Sequence, residues 1–339
     1  MNSLLTSGGA FTYADRDIIN QALASMGIVS QGNVWWVRPA SGVDSVNGVN
    51  AGLTSGTAFK TLSFALSAAT ANQNDVVLLC AESNTASLTT DYQSTTLTWN
   101  KDLVHLIGVN AGALYSQRSR IALAANYVTA SNLFTLSSNG CLISGIEFFE
   151  GVASALPTGC VKVTGARNVF RNCHIAGIGN DANDIAGAYS LNLSAAEENL
   201  FDNCVIGLDT IGGGTAANSE ILIDTASTRN RFRGCTITRL LDSATNHPLV
   251  KLAAATSIDR TLIFENCIFV NQATNYGLAQ AGVFKFVAAL TQGYVIVKDS
   301  AVIRSDNSTA VKWDVDDRNE IQIINTALSA DTSGVGFPT

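Results

Sequence analysis

Four aspartates stand out in this chain of 339 residues as groups able to move protons. Asp181 and Asp184 lie in a polar stretch at 177–188, Asp209 in one at 207–219 and Asp242 in one at 239–248. A glycoside hydrolase needs two carboxyls about 5–9.5 Å apart, one to protonate the leaving oxygen and one to attack or activate water. Asp181 and Asp209, on neighbouring repeats, can meet that spacing, with Asp242 one repeat further on. A lyase needs a base to take a proton and carboxylates to hold calcium; Arg239 and His247 are the bases on offer. Composition speaks against both. Asp and Asn are ordinary turn residues, and these stretches are dominated by Gly, Ala, Thr and Asn. None holds a tryptophan; Tyr189 and Tyr276 are the nearby aromatic platforms for a sugar ring, while Trp35, Trp36, Trp99 and Trp313 lie elsewhere. The expectation is a chain without a catalytic set, with Asp181, Asp209 and Asp242 as the alternative. His105 and His174 look like strand residues, His174 facing outward, and no metal is expected on the scattered histidines.

The cysteines lead to the element that would position any site. Cys173, Cys204, Cys235 and Cys267 are 31, 31 and 32 residues apart by subtraction. Each sits in a similar phrase: Asn-Val-Phe-Arg-Asn-Cys-His-Ile at 168–175, Asn-Leu-Phe-Asp-Asn-Cys-Val-Ile at 199–206, Asn-Arg-Phe-Arg-Gly-Cys-Thr-Ile at 230–237 and Ile-Phe-Glu-Asn-Cys-Ile-Phe at 263–269. A fixed period of this size signals a repeat architecture. Cys to Ile is two residues, the strand period. Phe to Cys is three, so the chain must bend between them, and the Arg-Asn, Asp-Asn, Arg-Gly and Glu-Asn pairs suit that bend.

A further short strand precedes each phrase by about ten residues: Cys-Val-Lys-Val at 160–163, Ser-Leu-Asn-Leu at 190–193, Glu-Ile-Leu-Ile at 220–223, Leu-Val-Lys-Leu at 249–252 and Val-Phe-Lys-Phe at 283–286. Each repeat reads strand, link, strand, bend, strand, loop, with nothing of helical length between. That is a solenoid of parallel strands in which each coil stacks on the last, about 4.8 Å apart. Cys173, Cys204, Cys235 and Cys267 should form one inward ladder and Phe170, Phe201, Phe232 and Phe264 another, with Val109 and Ile146 in the cysteine position of earlier coils. Thiols strung along such a line cannot converge on one zinc and stand too far apart for disulfides. Cys80, Cys141 and Cys160 have no partner spacing and read as reduced too.

This pattern resembles the right-handed parallel β-helix of the pectate-lyase-like superfamily, most strongly over residues 100–328. The superfamily includes polysaccharide lyases and hydrolases, phage tailspikes and non-catalytic virion proteins. The resemblance implies an all-β, single-stranded β-helix with short N-terminal helices. It divides the chain into an arm or cap at 1–32, an entry with a capping helix at 33–102, the β-helix at 103–328 and a tail at 329–339. The entry, from Asn-Val-Trp-Trp-Val-Arg-Pro at 33–39 through a Gly/Asp loop and a helix at 58–69 to Asp-Val-Val-Leu-Leu-Cys at 75–80, is similar to the opening of many phage β-helix proteins. The Gly/Asp loop lacks the register of a calcium loop, so no cofactor is expected.

Charged residues make up 14% of the chain and the net charge is −7. The first value is well under the usual quarter, so the surfaces are weakly charged; the second argues against a phosphate-backbone binder. No apolar run is long enough to span a bilayer, and residues 1–30 do not read as a secretory signal. The expected setting is a phage virion, its protein made in the host bacterial cytoplasm. Ile18, Ile19, Ala22, Leu23 and Met26 form a helical apolar stripe that should dock on a neighbour. The expected partners are two further copies in a homotrimer and other virion proteins such as the major capsid protein. The alternative is a tailspike-type depolymerase acting on host surface polysaccharide.

Overall fold

The chain is seen in a computed structural model, which describes residues 21, 23–25, 27–28, 32–48, 50–83, 85, 90–109, 118–127, 129–215, 217–242, 247–274, 282–304, 313 and 320–325. Ile18, Ile19, Ala22, Met26 and the tail at 329–339 lie outside the described residues.

Three parallel sheets of ten, nine and seven strands form the walls of a parallel β-helix. One coil shows the path: Gly159–Val163 in the third wall, Val169–Arg171 in the first, His174–Ala176 in the second, then a loop to Tyr189–Leu193 back in the third. The bend between the first and second walls explains the odd three-residue step. Asn172, Asn203, Gly234 and Asn266 sit there with φ of 51°, 53°, 62° and 52°, the left-handed region that Gly and Asn tolerate best. The reversal lets both Phe170 and Cys173 face inward. Each bend residue also donates its N–H to the next coil, as Asn172 does to Asp202 O at 3.0 Å and Asn203 to Arg233 O at 2.9 Å.

At the corner entering the first wall, Asn168, Asn199 and Asn230 form a buried ladder. Asn168 N donates to Asn199 Oδ1 at 2.9 Å and Asn199 N to Asn230 Oδ1 at 3.0 Å, while the side-chain amides donate to backbone carbonyls. The corner's backbone groups are thereby paired without water.

Inside, Phe170, Phe201, Phe232 and Phe264 stack with centroids 4.9, 4.7 and 4.6 Å apart and nearly parallel planes. The cysteine ladder is also present, each thiol aimed at a carbonyl of the preceding coil: Cys173 at Ile143 O (3.5 Å), Cys204 at Phe170 O (3.6 Å), Cys235 at Phe201 O (3.3 Å) and Cys267 at Phe232 O (3.5 Å). All seven cysteines are free. Ile146 holds the cysteine position as expected, but Val109 does not: it is exposed, and Ser119 pairs with Ile146 in its place. The reason is an excursion: this coil leaves the first wall at Gly108 and enters the second only at Ser119. Ser119 Oγ donates to Leu79 O at 2.7 Å, two residues beyond Val77, whose row supplies the carbonyls that the thiols meet in later coils.

Outside, the first wall carries opposite charges in register: Arg171, Asp202, Arg233, Glu265 and Lys298 follow one another coil by coil. Asp202 lies 3.4 Å from Arg171 and 2.9 Å from Arg233, and Glu265 lies 3.3 Å from Lys298. Towards the N-terminus the same wall is apolar outside. There Trp36, Leu78, Ile107 and Leu142 cluster with Leu23 and Ile28 of the arm, and Leu23 is only 2% exposed. Leu23 is thus covered within its own chain.

The entry helix runs Leu62–Ala68, shorter than the 58–69 expected, and buries Leu62, Ala65 and Leu66 against the main core. Asp44 of the Gly/Asp loop accepts from Lys60 N, Thr61 N and Thr61 Oγ1 at 2.8–3.0 Å, so its carboxylate serves the turn into the helix. At the far end Trp313 packs on Phe269 and Phe284.

Candidate functional site

The long loops follow the second wall and join it to the third, so they emerge along one edge, as the repeat pattern requires. They hold one another. The two residues Gly212–Gly213 pair with Leu240 and Leu241 of the next coil. Asp184 accepts from Gly214 N, Thr215 N, Thr215 Oγ1 and Asn218 Nδ2, binding its loop to the following one. Arg239, 2% exposed at its side chain, bridges Asp184 (3.2 Å) and Glu220 (2.9 Å). A Cβ at Gly213 would lie 2.2 Å from Arg239 Nη2, so a side chain there would have to displace the guanidinium from its place between the two carboxylates. Glu220 also accepts from Ser190 Oγ at 2.5 Å, and Ser190 Oγ accepts from Gly177 N. Burial pushes the Glu220 carboxyl above its usual range, and the Arg239 charge opposes that push. His247 is fully buried beside this group; its Nδ1–H donates to Thr215 O at 3.1 Å. Burial, and then the Arg239 charge, hold it well below the ordinary histidine range, so it is neutral. The Arg239 and His247 offered as lyase bases are therefore structural: one is locked between two carboxylates and the other is shut away from solvent.

Asp181, Asp209 and Asp242 are exposed. Among the described residues no hydrogen bond or ion pair joins them to one another. Asp181 opens a short 3-10 turn, Asp181–Asn183, and Asp242 lies against Gly212.

A second group lies on the outer face of the second wall, where Glu147 and His174 are register partners. His174 does point away from the core, yet it is only 7% exposed and Glu147 only 3%. Arg118 donates to Glu147 Oε1 at 2.7 Å, and His174 Nε2–H donates to Gly207 O at 3.1 Å. His174 Nδ1 and Glu147 Oε2 have no hydrogen-bond partner. Next to them Arg120 lies 5.3 Å over the ring of Phe149, and Tyr92 is exposed on the same row. His105 instead is a strut, accepting from Leu142 N at 3.0 Å and contacting Asn74 Oδ1, with burial lowering its pKa to about 4.

The sequence did not single out Arg118, Glu147, Glu150 or Glu220. Glu150 is 1% exposed and burial raises it to about 7. Glu147 and Glu220, in outward strand positions, were the available signal, but the Arg118 and Arg239 that meet them come from other parts of the chain. Among the described residues no three His, Cys, Asp or Glu side chains converge as a metal cluster, and no helix is long and apolar enough to cross a membrane.

No family model matches the chain, and no curated protein sequence matches it. Solved structures do resemble it. The pectate lyase Pel9A aligns with a TM-score of 0.56 at 14% identity, over 89% of this chain and 70% of its own. A pectin methylesterase from Aspergillus niger aligns at 0.49 and 14%, over 87% of this chain and 84% of its own. A tailspike protein from an Escherichia coli O157:H7 bacteriophage aligns at 0.34 and 10%, over 77% of this chain and 43% of its own. At such identities it is the first likeness that carries weight, and it bears on architecture alone: the fold is the right-handed parallel β-helix seen in that pectate lyase.

Proposed function

We propose that the chain is a non-catalytic structural β-helix of a tailed-phage particle: a decoration or vertex protein, a head fibre or a tail component. In this reading it assembles as a homotrimer beside other virion proteins such as the major capsid protein. One observation carries the non-catalytic part: the buried ionisable groups of the loop edge are consumed in holding loops together. Asp184, Glu220 and Arg239 form one internal network, and the exposed Asp181, Asp209 and Asp242 stand apart from it. The phage setting is supported by the resemblance of the entry and repeats to phage β-helices, among which trimers are common.

The test uses purified chain and bacterial surface polysaccharide, polysaccharide being the substrate class that the pectate lyase fold brings to mind. No reducing ends and no unsaturated products should be released, and Asp181→Asn with Asp209→Asn should change nothing. Release by the parent protein that the double variant abolishes hands the case to a tailspike-type depolymerase. Sedimentation should give three copies; a monomer at micromolar concentration removes the trimer.

A further inference from the structure

We propose that Glu147 and His174 are the two protein ligands of a divalent transition-metal site, of the zinc class, on the outer face of the second wall. Both side chains are more than nine-tenths buried. His174 Nδ1 and Glu147 Oε1 are 3.8 Å apart, too far for a direct hydrogen bond. Because Nε2–H is committed to Gly207 O, Nδ1 carries the lone pair. Two acceptors therefore face each other, and Nδ1 and Glu147 Oε2 are left without a donor. Buried acceptors in that state call for a bound donor, a water or a cation.

Three features favour the cation. The span suits one: zinc takes nitrogen at about 2.0–2.1 Å and carboxylate oxygen at about 2.0–2.2 Å, so an ion off the line between the two atoms reaches both. The outer contacts are those of ligating groups, with a histidine anchored through its other nitrogen to a backbone carbonyl and a carboxylate held by a second partner, Arg118. On the ring, Glu147 and Asp209 act together and Arg118 offsets one of them, while Arg120, the register partner of Glu147, is engaged by Thr90 Oγ1 and the Phe149 ring. His247 also has an unpartnered Nε2, but the charges acting on it, Arg239 and Lys251, are both positive, whereas the His174 ring feels two carboxylates against the one guanidinium of Arg118. With two protein donors, the remaining positions fall to water.

The experiment titrates zinc chloride into the full chain by calorimetry and repeats it with cobalt(II), read by visible absorption. The expected result is one ion per chain, with binding weakened at least tenfold in Glu147→Gln, which keeps the side-chain shape, and in His174→Ala. The d–d bands of cobalt should change in both variants. Absence of uptake by the parent chain means that a water bridges the pair and overturns the proposal. So does uptake that survives in both variants. Should His174→Ala fail to fold, Glu147→Gln alone decides.

Discussion

Truncating Phe201 to Ala tests the interior. The ring is fully buried and stacked on both faces, on Phe170 at 4.9 Å and 13° and on Phe232 at 4.7 Å and 10°. A buried Phe→Ala change costs about 3–5 kcal/mol, and an aromatic pair adds about 0.5–1.5 kcal/mol beyond its area. Phe170 is an internal control: stacked on Phe201, it meets Phe148 only at 6.5 Å and 57°. Phe201→Ala should therefore cost about 0.5–1.5 kcal/mol more than Phe170→Ala, the value of the second stack. Urea unfolding of the full chain reads both, with the m-value reporting whether the solenoid still unfolds as one unit. A loss below about 1 kcal/mol at Phe201, or a larger loss at Phe170, would refute the stacked ladder as the source of stability.

Removing Arg239 as Arg239→Ala should destabilise by about 3–5 kcal/mol, because Glu220 is left buried and unpaired; thermal unfolding unchanged within a degree sinks that reading. Leu23→Ala should cost about 2–5 kcal/mol and raise proteolysis of the arm, whereas an unchanged melting point would mean that Leu23 does not hold the arm to the first wall. Glu150 is raised to about 7 by burial, so it stabilises the fold at acid pH and that contribution is lost as pH rises through 7. Relative to Glu150→Gln, the parent chain should gain about 2–3 kcal/mol between pH 8 and 5. His105, lowered to about 4, works the other way below pH 6.5 in both proteins and cancels from that difference. Parallel stability curves for the two proteins would contradict this.

Most of the fold was legible because a solenoid repeats its physics. The Phe and Cys rows and the Asn or Gly bend recur at one period, and each has a single steric reason. Legibility failed at Val109, where coils are irregular. Ser119, Ile146 and Cys173 are 27 residues apart by subtraction, the later cysteines 31 or 32, and the excursion before Ser119 breaks the three-residue step. The candidate sites were harder to read for a different reason. Arg239 meets Glu220 and Asp184 across two loops, and Glu147 meets His174 across one coil; no spacing within a single element encodes either. Leu23 was readable as apolar, but what covers it depended on the row of Trp36, Leu78 and Ile107 outside the first wall, with Leu142 beside it.

Near-identical coils create a hazard of miscounting during folding. If a coil were looped out and its neighbours zipped together, Phe170 would meet Phe232 instead of Phe201, and Cys173 would meet Cys235. The interior would register little difference. The charge row on the first wall would. Skipping one coil sets Arg171 against Arg233, or Asp202 against Glu265, about 4.8 Å apart, turning attractions into repulsions of the order of 1 kcal/mol each in water and more near the protein surface. The row works as a parity check on the growing stack: it rejects an odd slip, and it is blind to the loss of two coils at once.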